Sequence, residues 1–249
     1  MGEIYERFFR GDEALPKFVF MHGDFQNHTI FRNIENKLNE KNYSTLSFDL
    51  PGHGNSIDFR ISLNNFLKDY LERKKIIKPI IIGNSFGGVL ALDYALKTRN
   101  ASGIILINCP ISSIAKLNSE ISMENIFNQY KSFMENSKQK LIDFNEIKNL
   151  SEEEIVKIAM ENSSINAFLN NAEVYRNFNP DKEIQKLQIP ILWIVSENDR
   201  IISKDYAEEQ IKNLKKGKLI FISGNHNILF NNSEIKNNIF NYIDLLKTL

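Results

Sequence analysis

Three short stretches of this chain, at residues 80–82, 104–107 and 191–195, are apolar at every position. A strand with one face in water alternates apolar and polar residues, so an unbroken apolar run needs cover on both faces. Such strands belong in the middle of a mostly parallel sheet with helices on either side. The rest of the chain has the matching rhythm. β-Branched or aromatic runs at 4–9, 17–21, 44–49, 79–83, 103–108, 190–196 and 218–222 read as strands. Helical periodicity falls between them at 29–41, 63–75, 86–98, 204–213 and 233–246. The expected fold is α/β, a mostly parallel doubly wound sheet.

Residues 109–188 break the rhythm, because they contain no strand-like run. A connection this long forms structure of its own. Its apolar and aromatic positions, among them Phe127, Tyr130, Phe144, Phe168, Tyr175 and Phe178, read as several short amphipathic helices. Two readings stay open: an ordinary insertion packed on itself, or a helical lid over the edge where open α/β sheets bind ligands. The expected division is a core of residues 1–110 and 185–249 with an inserted helical cap at 111–184.

One of the buried strands ends in Gly83-Asn84-Ser85-Phe86-Gly87, followed at once by a helical pattern. Gly-x-Ser-x-Gly between a strand and a helix describes a sharp turn with the serine at its apex. The glycines leave room where a Cβ would meet the neighbouring backbone, and the strain leaves the hydroxyl exposed. A serine needs a general base, and the chain has four histidines. His22 and His53 sit in glycine-framed loops after strands and read as loop-shaping residues, while His28 precedes a helix without supporting context. His226, in the loop after the last strand, lies at the same sheet edge as Ser85 and is the candidate base.

The imidazole in turn needs a carboxylate to fix its tautomer. The loop after 190–196 offers Glu197 and Asp199, and Asp199, deeper in the loop, is the better placed. The candidate catalytic set is therefore Ser85, Asp199 and His226.

These motifs together resemble the α/β-hydrolase superfamily over nearly the whole chain. His22-Gly23-Asp24-Phe25 resembles its oxyanion loop, and Asp49-Leu50-Pro51-Gly52-His53-Gly54-Asn55-Ser56 its Asp-x-x-Gly-x-Gly-x-Ser turn. Residues 83–88 resemble the nucleophile elbow, 192–201 the strand and acid, and 224–226 the histidine loop. The resemblance implies an oxyanion hole made by the backbone amides of Asp24 and Phe86, with Phe25 in reserve for the first. The Asp24 carboxylate is then expected to face solvent or a partner, since an inward charge would oppose an oxyanion.

The pattern also departs from the family's. Fewer than twenty residues precede the strand at 17–21, so the family's N-terminal antiparallel strands are expected to be short or partly missing. Asn84 stands where many family esterases have histidine, as it does in relatives that cleave carbon–carbon bonds, but the Gly-rich loop of those relatives is absent. Ser85 excludes members with an aspartate nucleophile, and the Gly-Gly-Pro-Gly signature of proline iminopeptidases is missing.

The function expected from these residues is cleavage of a carboxylic ester or thioester through an acyl-enzyme. The alternatives are a carbon–carbon hydrolase or lyase with the same three residues, or a ligand receptor on this fold. Between residues 116 and 176 there are seven Lys or Arg against ten Asp or Glu, which gives no basic clamp for a phosphate-rich substrate. A neutral, mostly apolar acyl group is the expected cargo. No metal and no cofactor is implied. A formal net charge of zero points away from nucleic acid and from anionic membranes. Cys109, the one cysteine, leaves no internal disulfide to form. The sequence begins without a basic, then apolar, leader pattern, so the expected location is the cytoplasm, as monomer or homodimer.

Overall fold

The computed structural model describes residues 3–57, 63–117, 154, 163–226 and 233–246. Among these residues seven strands form one sheet: β1 (Glu6–Phe9), β2 (Lys17–Met21), β3 (Ser44–Phe48), β4 (Ile80–Asn84), β5 (Gly103–Ile107), β6 (Ile191–Ser196) and β7 (Gly217–Ile222). Their spatial order is β1-β3-β2-β4-β5-β6-β7. All neighbours are parallel except β1, which runs antiparallel along β3 and is four residues long. β1 is thus a short antiparallel strand at the sheet's edge.

Alternation along the strands sorts side chains between two cores. Val19 and Met21 of β2 face one side with Leu46, Phe48, Ile81 and Trp193. Phe18 and Phe20 face the other with Ile80, Ile82, Leu192 and Ile194. The first core is covered by α2 (Leu63–Arg73), α3 (Phe86–Thr98), α4 (Ile165–Asn177) and α5 (Lys204–Gln210), through residues such as Phe66, Val89, Val174 and Tyr206. The second is covered by α1 (Arg32–Glu40) and α6 (Ser233–Leu246), through Ile34, Leu38, Ile239 and Ile243. Cover on both faces is what the unbroken apolar runs require.

The expected single helix at 29–41 is divided. His28–Phe31 form a 3-10 turn, with Thr29 N donating to the Asn27 side chain, and α1 begins at Arg32. His28 is held in this turn by Asp49 on the neighbouring loop, which accepts from its N–H at 2.8 Å and meets its Nδ1 at 2.7 Å. Likewise 204–213 is α5 followed by a 3-10 turn at Ile211–Asn213.

Chain order reverses direction across β2 and β4, since β3 lies outside β2 while β5 to β7 follow β4 outward. The crevice beyond the C-terminal ends of strands at such a switch point is where ligands bind in open α/β sheets. Met21 and Gly83 are register partners there, so the loop after β2 and the turn after β4 emerge side by side. Of the expected cap at 111–184, residues 118–153 and 155–162 lie outside the described residues.

Candidate active site

Ser85 stands between β4 and α3 with φ 47° and ψ −116°, far from the ordinary helical and strand wells. Two glycines make the turn possible. A Cβ on Gly83 would lie 2.6 Å from the Gly87 carbonyl oxygen, and one on Gly87 would lie 2.1 Å from that of Met21. Ser85 N donates to Ile107 O at 2.9 Å, tying the apex to β5. Phe86 is the first residue of α3, where a helix N–H has no intrahelical acceptor and the helix dipole is positive.

His226, in the loop after β7, places Nε2 3.0 Å from Ser85 Oγ and Nδ1 2.8 Å from Asp199 Oδ2. These partners assign the tautomer: Nδ1–H donates to the carboxylate, and Nε2 accepts from the serine hydroxyl. The other Asp199 oxygen accepts from Ile201 N at 2.8 Å and Ile202 N at 2.9 Å, which aims the first at the imidazole. The Asp199 side chain is fully buried and that of His226 is 17% exposed. The structure thus brings together Ser85, Asp199 and His226 from three loops. Glu197 is exposed.

The other three histidines are structural. His22 Nδ1 donates to Gly23 O at 2.8 Å and its Nε2 accepts from Leu50 N at 2.9 Å, joining the loops after β2 and β3. Burial, with His53 close by, lowers its pKa to about 3, so the ring is neutral. His53 Nδ1 donates to Pro51 O at 3.1 Å. His28 meets Asp49 at 2.7 Å, a partner that its sequence context did not reveal. Burial opposes ionisation of Asp49, but the hydrogen bond and charge of His28 outweigh it and hold the carboxyl below its usual range.

Asp24 follows Gly23 on the β2 loop, and its carboxylate has partners on α4: Asn171 Nδ2 donates to Oδ1, and the Tyr175 hydroxyl reaches it as well. Desolvation raises its pKa to about 6, against the lowering effect of Asn171, Tyr175 and the His226 charge. The Tyr175 hydroxyl also lies beside Ser85. Phe25, the reserve oxyanion residue, has φ 59° and stacks on Phe168 of α4 at 5.6 Å.

Sequence reasoning missed the residues that brace this edge. Gln26 Oε1 accepts from Gly23 N and from Asn84 Nδ2, both at 2.8 Å, linking the β2 loop to the elbow from below. Asn108, at φ 46° after β5, donates to His226 O at 2.9 Å, Asn225 O at 3.2 Å and Ser196 Oγ at 2.8 Å, and accepts from Ser196 N at 2.8 Å. The one local signal was an asparagine where a buried strand ends. Among the described residues no cluster of His, Cys, Asp or Glu could hold a metal ion, and no helix is long and apolar enough to cross a membrane.

A switch-point crevice with a strained serine and a histidine–carboxylate pair defines an α/β-hydrolase. A model of the family described as serine aminopeptidase, S33, matches residues 12–233, and the chain belongs to that family. A putative esterase/lipase 2 of Mycoplasma pneumoniae is 26% identical over 107 residues, 40% of this chain and 40% of that protein. A 2-succinyl-6-hydroxy-2,4-cyclohexadiene-1-carboxylate synthase of Klebsiella pneumoniae subsp. pneumoniae is 31% identical over 93 residues, 36% of each. The matches therefore span well under half the length of these two relatives. A carboxylesterase structure from Nitrososphaera gargenis superposes with TM-score 0.78 and 17% identity, covering 98% of this chain and 95% of that one. At that identity the likeness is one of fold, and fold does not fix which bond is cleaved.

Proposed function

We propose that this protein is a serine hydrolase acting on a carboxylic ester or thioester, with Ser85 as nucleophile, His226 as base and Asp199 as its orienting acid. The observation that carries this reading is the unbroken chain from Ser85 Oγ to His226 Nε2 at 3.0 Å and from His226 Nδ1 to Asp199 Oδ2 at 2.8 Å. His226 takes the serine proton as Oγ attacks the acyl carbon. The carbonyl oxygen becomes an oxyanion held by the amides of Asp24 and Phe86. The imidazolium, stabilised by Asp199, then protonates the leaving alcohol or thiol. Water, deprotonated by the same histidine, releases the acid and restores Ser85. A helical cap over 111–184 would cover the acyl group at this edge, where Phe25 and Phe168 already stack together.

A carbon–carbon lyase using the same three residues is the second reading, favoured by the likeness to the synthase and by Asn84 in the elbow. Turnover of p-nitrophenyl acyl esters separates the two. The ester reading expects a burst of p-nitrophenol equal to the enzyme, and loss of at least about 10⁴-fold in kcat for Ser85→Ala. Labelling of Ser85 by a fluorophosphonate without turnover of any ester from acetate to dodecanoate would move the assignment to the lyase. Absence of labelling in folded protein would remove Ser85 as nucleophile.

A further inference from the structure

The two amides assigned to the oxyanion lie on separate segments, residue 24 after β2 and residue 86 after β4. Both segments hold a residue at positive φ, Phe25 at 59° and Ser85 at 47°. A non-glycine residue there is strained by about 1–2 kcal/mol, so each segment would relax unless its surroundings hold it. From below, the Gln26 carbonyl joins them. A second set of contacts comes from one helix, α4.

Phe168, Asn171 and Tyr175 are spaced three and four residues apart, so they form one stripe along α4. All three are buried. Phe168 stacks on Phe25, with ring centroids 5.6 Å apart and an interplanar angle of 12°. Asn171 donates to the Asp24 carboxylate. The Tyr175 ring packs on Phe86 at 5.1 Å, and its hydroxyl reaches Ser85 and Asp24. The helix is seated at its start as well: Ser164 N donates to Gly52 O at 2.8 Å, and Ser163 bridges to His53. A helix that merely covered the edge would need apolar contact alone. This one touches all three of the residues, 24, 25 and 86, on which the hole depends.

We propose that α4 is the positioning element of the oxyanion site: Asn171 and Tyr175 hold Asp24 and Phe86, and Phe168 holds the strained Phe25, so that the two amides keep a fixed separation. The inference rests on the reading of Ser85 as nucleophile. It couples cover and catalysis, because any displacement of α4 takes apart the hole together with the pocket wall. Asn171 is a positioning residue for Asp24; Tyr175 packs on Phe86 in the same way but also lies beside Ser85 itself.

The test uses Asn171→Leu, which keeps the branched shape of the side chain but removes the donor, and Tyr175→Ala, in the full chain. For p-nitrophenyl butyrate, each should lower kcat by about tenfold to a hundredfold with KM within about twofold, as expected when a donor is displaced rather than lost. The inhibition constant of an alkyl trifluoromethyl ketone, whose serine adduct carries the oxyanion, should rise by the same factor as kcat falls. Binding of the product butyrate should stay unchanged. Because Tyr175→Ala also removes a group beside Ser85, Asn171→Leu decides. Wild-type kcat in Asn171→Leu overturns the proposal, and so does a fall in kcat with unchanged trifluoromethyl ketone affinity. Full activity of Ser85→Ala would defeat the nucleophile assignment and take this inference with it, a failure distinct from normal kcat in Asn171→Leu alone.

Discussion

Two histidines stand at the same edge of the sheet with opposite fates. His22 uses both ring nitrogens on main chain, donating to Gly23 O and accepting from Leu50 N, and is fully buried. His226 offers one nitrogen to a carboxylate and the other to a hydroxyl, and its side chain keeps 17% exposure. The first is locked in its neutral tautomer and has no lone pair left for chemistry. The second has a lone pair aimed at the Ser85 hydroxyl and a buried carboxyl group on its other nitrogen. Position in the fold does not separate them; the partners of the ring nitrogens do.

The largest effect that could break this contrast is on activity. Replacing His226 with Ala should lower ester kcat by about 10⁴-fold to 10⁶-fold, while thermal unfolding stays within a few degrees of wild type. His22→Ala should do the reverse. It leaves the buried Leu50 amide without its acceptor and opens a ring-sized gap, a loss of about 3 kcal/mol in urea-induced unfolding. Protein that remains folded should keep ester turnover within about an order of magnitude, because His22 touches no reacting atom. A His22→Ala protein as inactive as His226→Ala but fully stable would erase the distinction.

Acid sharpens the same comparison. The folded pKa of His22 is about 3 against a reference of 6.5, so the unfolded chain takes up the proton first. The contribution of neutral His22 is fully present above pH 6.5 and is lost as pH falls toward 3, by about 1.4 kcal/mol per unit within that window. Asp24 runs the other way. Its folded pKa of about 6 exceeds the reference of 3.8, so its contribution is present below 3.8 and is lost as pH rises through 6. Unfolding followed from pH 7 to 4 should therefore show steeper acid destabilisation in Asp24→Asn than in wild type, and shallower in His22→Ala. Parallel curves for all three proteins would contradict both assignments.

How much of this was legible beforehand depended on distance along the chain. The apolar runs at 80–82, 104–107 and 191–195 announced central strands because burial on both faces leaves a mark at every position. The elbow was legible for a local reason too, since Gly83 and Gly87 answer clashes with backbone within the turn and beside it. Ser85, Asp199 and His226 could be collected because each follows a strand that was itself readable. The braces could not. Asn84 meets Gln26 across 58 residues, Asn108 meets Asn225 across 117, and Asn171 meets Asp24 across 147. An amide side chain has no periodicity, so nothing local distinguishes a buried bridge from a surface residue. His28 misled for the same reason, because its partner Asp49 lies on another loop.

Asn108 gives the contrast its finest test, because it acts on His226 from the main-chain side. Its amide donates to the carbonyl oxygens of Asn225 and His226 and exchanges hydrogen bonds with Ser196, fixing the histidine loop to the ends of β5 and β6. It also sits at φ 46°, where asparagine is tolerated better than most residues. Two substitutions separate these properties. Asn108→Gly keeps the backbone free to adopt that angle, whereas Asn108→Ala adds strain of about 1 kcal/mol. Both lose the amide, so both should lower ester kcat similarly, on the order of tenfold, as His226 drifts from Ser85. Alanine should unfold at lower urea than glycine, while the two stay alike in rate. If glycine restored wild-type kcat, the strained angle rather than the amide would be what aligns His226. His226 would then owe its place at Ser85 to the turn after β5 and not to the hydrogen bonds on its own loop.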